Sequence, residues 1–120
     1  MLAPASLPLI RVAVTLADDF SMTPSTVSVR AGVSVTFVVT NGGAVAHEFY
    51  LGDEAAQLAH DSAMMTMPGT MTDEADGISV EPTQTRELSH TFDAAGSTIA
   101  GCHVSGHYAA GMKMTITVTS

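Results

Sequence analysis

Apolar and polar residues alternate with a period of two through most of the chain, the signature of half-buried strands. Val12, Val14 and Leu16 alternate with Arg11, Ala13 and Thr15, and Val27 and Val29 with Ser28 and Arg30. After an Ala31-Gly32 turn, Val33, Val35, Phe37 and Val39 share one face, and Asn41-Gly42-Gly43 turns the chain again. Val45, His47, Phe49 and Leu51 make the next apolar row. Leu88, His90 and Phe92 follow later, then a strand over 97–102 and a last one carrying Met114, Ile116 and Val118. Seven or eight such strands, separated by Gly and Pro turns, predict an all-β sandwich.

Residues 52–77 break the pattern. Asp53 is placed to cap a helix running from Glu54 to about Met65, followed by a polar, Met-rich stretch from Met67 to Asp76. An insertion of this length in a β domain either packs as a helix on one end of the sandwich or carries function.

The length of 120 residues allows a single domain, 1–120, with one core. Hydrophobic residues make up 46% and charged residues 13%, so the chain can bury that core and is not of disordered composition. The net charge of −8 argues against nucleic acid as a partner. It suits basic protein partners or the gathering of cations. No apolar run reaches the length of a membrane span. The opening MLAPASLPLI has no basic n-region and too short an apolar stretch for a signal peptide, so the chain reads as a mature domain.

The single cysteine, Cys102, rules out an internal disulfide and leaves a metal ligand, a reactive thiol or an inert core residue. Its surroundings read Gly-Cys-His-Val-Ser-Gly-His-Tyr-Ala-Ala-Gly-Met. Cys102, His107 and Met112 are each five positions apart, on a loop between two predicted strands. Two histidines and a thiolate in a plane with a weak axial thioether form a type 1 copper site. His47, an imidazole in an apolar row, needs a partner to offset its desolvation and is the candidate for the second histidine.

On these residues the chain resembles the cupredoxins. The resemblance rests on "VAHEFYL" followed by "GCHVSGHYAAGMKMTITV" and extends over "VSVRAGVSVTFVVTNGG". The loop spacing is wider than that of plastocyanin and more similar to type 1 sites of multicopper oxidases. His103 matches one of the histidines that flank the cysteine in those enzymes, but Gly101 occupies the other flank, and the His-x-His pairs of a trinuclear cluster are absent. An enzymatic reading is therefore set aside.

The resemblance implies a Greek-key, cupredoxin-like sandwich with one type 1 copper ion held by His47, Cys102, His107 and Met112. It implies one-electron transfer by Cu(I)/Cu(II) cycling with soluble or membrane-associated redox partner proteins. A monomer in the periplasm or otherwise outside the cytoplasm is expected. The alternative is an extracytoplasmic copper-tolerance or copper-handling protein using the same site plus the Met/His-rich region.

Several other residues carry expectations. Strand alternation points His103 and Glu48 away from the metal, and His103 is expected at the surface. His90 and Met114 are expected in or near the core. His60, Met64, Met65, Met67 and Met71 could form a second, softer copper site, since thioethers favour Cu(I), or could fill a core gap. Asp53, Glu54, Asp61, Asp73, Glu74 and Asp76 are expected to be a solvated acidic face.

Overall fold

A computed structural model describes residues 10–66, 76–104 and 106–120. Among them are nine strands and one helix in the order β1 (Ile10–Ala17), β2 (Ser21–Thr23), β3 (Thr26–Arg30), β4 (Ser34–Asn41), β5 (His47–Gly52), α1 (Glu54–Thr66), β6 (Gly77–Val80), β7 (Thr85–Thr91), β8 (Gly96–Gly101) and β9 (Lys113–Thr119). The count exceeds the seven or eight expected because β2 and β6, at three and four residues, are too short to show a period.

The strands form two sheets, ordered β2-β1-β4-β7 and β3-β9-β8-β5-β6. β1 runs parallel to β4 and β3 parallel to β9, whereas the other pairings are antiparallel. This is the Greek-key sandwich that the alternation and the resemblance predict.

Alternation sets the register. In β1 and β4, Val14 lies opposite Val39, and Phe37 in β4 lies opposite Leu88 in β7, so one sheet turns an apolar face inward. The other sheet answers with Phe49, Leu51, Ala100, Met114, Ile116 and Val118. Phe37 and Phe49 meet between the sheets with ring centroids 5.2 Å apart. Both are fully buried, each contributing about 1.5–3 kcal/mol of transfer free energy. Met114 is in this core, as expected. His90 is half-buried beside Phe92, near the core.

Val45 departs from its expected row. It lies in the loop before β5 and is 48% exposed, while His47, Phe49 and Leu51 are buried as the alternation requires. The helix begins where the sequence places it, with the Ala56 N–H donating to the Asp53 carboxylate at 2.9 Å. It packs against β5, which begins at His47, and β8, which ends just before Cys102.

Candidate metal centre

β5 starts at His47, and its alternation turns that ring inward with Phe49 and Leu51. β8 ends at Gly101, so Cys102 is the first residue of the loop that joins β8 to β9. The loop closes on itself: Cys102 N–H donates to the Met112 carbonyl at 3.1 Å, and Met112 N–H to the His107 carbonyl at 3.1 Å. The backbone thus gathers three residues of the five-residue spacing at one end of the sandwich.

The donor atoms of His47, Cys102 and His107 all lie within 4.8 Å of one another. Cys102 Sγ is 3.8 Å from His47 Nδ1 and 3.5 Å from His107 Nδ1. A sulfur at about 2.3 Å and a nitrogen at about 2.0 Å from one ion, in a trigonal plane, stand about 3.7 Å apart. The spacing therefore fits a single ion at the centre. Met112 is fully buried at the far end of the same loop.

Protonation follows burial. The Cys102 thiol is pushed up to about 11 by desolvation, against the pull of the Glu48 and Val104 backbone N–H groups. Desolvation pushes His107 down, with His47 adding to the effect, so its imidazole is neutral and free to ligate at neutral pH.

The next layer around the ligands holds residues the sequence reading did not assign. Asp18, in the turn after β1, lies 2.8 Å from His47 Nε2. Phe20 packs edge-on against the His107 ring at 5.1 Å while remaining 41% exposed. Its backbone sits at φ 66°, a left-handed conformation uncommon for a bulky residue. Nothing in their local sequence marks either residue, since aspartates are ordinary in turns.

His103 corrects an expectation. It points away from the three donors, as alternation requires, but it is fully buried instead of lying at the surface. α1 covers it: Asp61 Oδ1 is 2.9 Å from Nδ1 and Gln57 Oε1 is 2.5 Å from Nε2. Tyr108 stacks on the ring at 4.5 Å. Burial lowers the His103 pKa, and the Asp61 carboxylate pulls it back up. Asp61 is accordingly a partner of His103 and not part of a purely solvated face.

Glu48 is also turned from the metal position, and is buried. Its carboxylate pairs with His60 Nε2 at 2.9 Å. His60 further stacks on Tyr50 at 4.0 Å, so the described part of the expected Met/His site is engaged with a carboxylate and an aromatic ring. Met64 is buried; Met67, Met71, Asp73, Glu74 and the Met65 side chain lie outside what the structure describes.

The sequence profile of copper binding proteins of the plastocyanin/azurin family matches residues 10–119. The copper-resistant cuproprotein CopI of Rubrivivax gelatinosus is 37% identical over 101 residues, covering 84% of this chain. This chain spans 61% of that relative's length. The protein of the same name from Vibrio cholerae is 34% identical over 88% of this chain and 63% of its own length. Among solved structures, reduced auracyanin from the photosynthetic bacterium Roseiflexus castenholzii superimposes with a TM-score of 0.79 at 20% identity, over 92% of this chain and 97% of its own. That likeness gives the fold, and the profile match together with the gathered His47, Cys102 and His107 gives the lineage. The chain belongs to the plastocyanin/azurin family of copper binding proteins.

Proposed function

We infer that this chain is a one-electron carrier that holds a single copper ion through His47, Cys102, His107 and Met112. The observation that carries the reading is the convergence of one thiol and two imidazoles within 4.8 Å at one end of a sandwich. A soft sulfur with two nitrogens suits copper, and a buried thioether on the same loop is the natural weak axial donor. Copper, when bound, supplies a one-electron couple between Cu(II) and Cu(I).

The protein's part is to hold the donors still and keep water out. His47, Cys102 and Met112 are fully buried, whereas His107 is only half-buried. Ala109, Ala110 and Gly111 beside it are small and exposed, and Phe20 adds an apolar ring. This end of the molecule offers a partner the edge of a ligand without opening the core. The reading makes the protein a carrier and not an enzyme, monomeric, working outside the cytoplasm with a soluble or membrane-associated redox protein. Among the described residues no helix is long and apolar enough to cross a membrane.

The test is to add one equivalent of Cu(II) to the apo-protein and record its visible spectrum beside that of Cys102→Ser. An intense thiolate-to-copper charge-transfer band, absent in the variant, is the expected result. A weak absorption unchanged by the substitution would sink the assignment. Met112→Leu should shift the balance of bands without abolishing them.

A second reading is copper tolerance, supported by the names of the relatives from Rubrivivax gelatinosus and Vibrio cholerae. It uses the same site. Deleting the gene should then sensitise growth to copper, while a pure carrier would leave copper sensitivity unchanged.

A further inference from the structure

Asp18 belongs to the turn between β1 and β2, 29 positions before His47. Its carboxylate faces the loop that leads into β5. Ala44 N–H donates to Oδ2 at 2.7 Å, and His47 Nε2 lies 2.8 Å from Oδ1. The loop is shaped to admit it. A Cβ on Gly43 would stand 2.0 Å from Oδ1 and 2.5 Å from the carboxyl carbon, so no other residue fits at position 43 without displacing Asp18. Ala44 N–H needs an accepting oxygen, and an aspartate carboxyl partly open to solvent is a carboxylate at neutral pH.

A charged carboxylate only accepts hydrogen bonds. His47 Nε2 must therefore carry the proton, which leaves the lone pair on Nδ1. Nδ1 is the nitrogen that faces Cys102 Sγ, at 3.8 Å. The ring itself is fully buried, while the Asp18 side chain is 42% exposed. The carboxylate thus closes the outer side of the His47 pocket.

We propose that Asp18 is a positioning residue of the metal centre, fixing His47 as its Nε2–H tautomer and placing a negative charge behind the ring that favours Cu(II) over Cu(I). The proposal rests on the copper reading above. A ligand imidazole that gives its other N–H to a carboxylate is oriented and made more basic by it. The more highly charged oxidation state gains more from both effects. Partial exposure of Asp18 moderates the charge effect through solvent and salt screening but leaves the tautomer unaffected. Asn is not an equivalent at this position. Ala44 and His47 bond different oxygens of Asp18, so in Asn the amide NH2 would face one of these two N–H donors.

Two measurements test this. In the apo-protein, nitrogen–proton NMR of His47 should show hydrogen on Nε2 and none on Nδ1; the opposite tautomer would overturn the proposal. In the copper-loaded protein, Asp18→Asn should weaken Cu(II) binding about tenfold and Cu(I) binding less. The reduction potential should therefore rise, by up to about 59 mV, the value for a tenfold change in the Cu(II)-to-Cu(I) affinity ratio of a one-electron couple. Gly43→Ala should move the potential in the same direction by pushing the carboxylate away. An unchanged potential in both folded variants would refute the electrostatic role. If either variant fails to fold, the wild-type tautomer still decides the positioning role. If wild-type protein shows no thiolate–copper band, the copper reading fails, and the NMR result stands separately.

Discussion

The Glu48 backbone N–H lies 3.2 Å from Cys102 Sγ, while the Glu48 side chain runs the other way, to His60 on α1 at 2.9 Å. Its second oxygen accepts the His103 N–H at 3.2 Å. One residue therefore holds the sulfur from one face of β5 and the helix from the other. The backbone bond steadies the sulfur, and the carboxylate ties down His103, the residue that follows Cys102.

Breaking the helix side of this link leaves a buried charge. The Glu48 side chain is 4% exposed, so His60→Ala strands a carboxylate with one partner fewer. The expected loss, for a buried carboxylate oxygen deprived of its hydrogen-bond donor, is about 2 kcal/mol in a urea titration. Glu48→Gln with His60 kept should cost less, because it removes the charge together with the need to compensate it.

Copper loading should release a proton. With its thiol pushed up to about 11, Cys102 is protonated in the apo-protein at neutral pH, and ligation requires the thiolate. Below that value, apparent copper affinity should rise about tenfold for each pH unit gained. His107, pushed down by burial, is already neutral and adds no second proton near pH 7. Proton uptake by a dilute indicator should report about one per copper, and none for Cys102→Ser.

Gly101→Ala should loosen the layer behind the cysteine. A Cβ there would meet Gln57 Oε1 at 2.5 Å and the Tyr108 ring at 2.9 Å. Gln57 cannot easily yield, because its amide donates to the carbonyls of Tyr50, Gly52 and Ile99. A loss of about 1–3 kcal/mol is expected, measured as a lower melting temperature. The same crowding excludes a larger side chain on this flank of Cys102.

Asn41→Ala should destabilise the turn that precedes His47. The buried Asn41 amide donates to the carbonyls of Val45 and Val80 at 2.7 and 2.9 Å, and its oxygen accepts the Gly43 N–H at 2.8 Å. Removing it leaves these groups unpaired, at a cost of about 2 kcal/mol by thermal denaturation. The loop that seats Asp18 would lose its anchor, so weaker copper binding should accompany the lower stability.

The four ligand candidates were legible because their signal is local. Cys102, His107 and Met112 share a short loop, and His47 stands out in an apolar row. The strands were legible for the same reason, through alternation that five or more residues can display. What surrounds the ligands was not. His103 is buried by Gln57 and Asp61, 46 and 42 positions away, and no local pattern announces a helix folding over it. Asp18 and Phe20 reach the site only because β1 lies beside β4, a parallel pairing that alternation alone cannot specify. Val45 fits the period but precedes the strand, because the turn at Asn41 extends further than its glycines suggest.

His47 and Cys102 are separated by 55 positions, with the whole of α1 between them. An ion gripped by both would close that span as a covalent bridge does, in a chain whose lone cysteine permits no bridge of its own. Restricting a loop of this length in the unfolded chain amounts to about 4 kcal/mol. The centre would then serve as a removable staple, fastened when copper is supplied and undone when it is withdrawn, so that metal scarcity would register as a softer fold as well as a silent redox site.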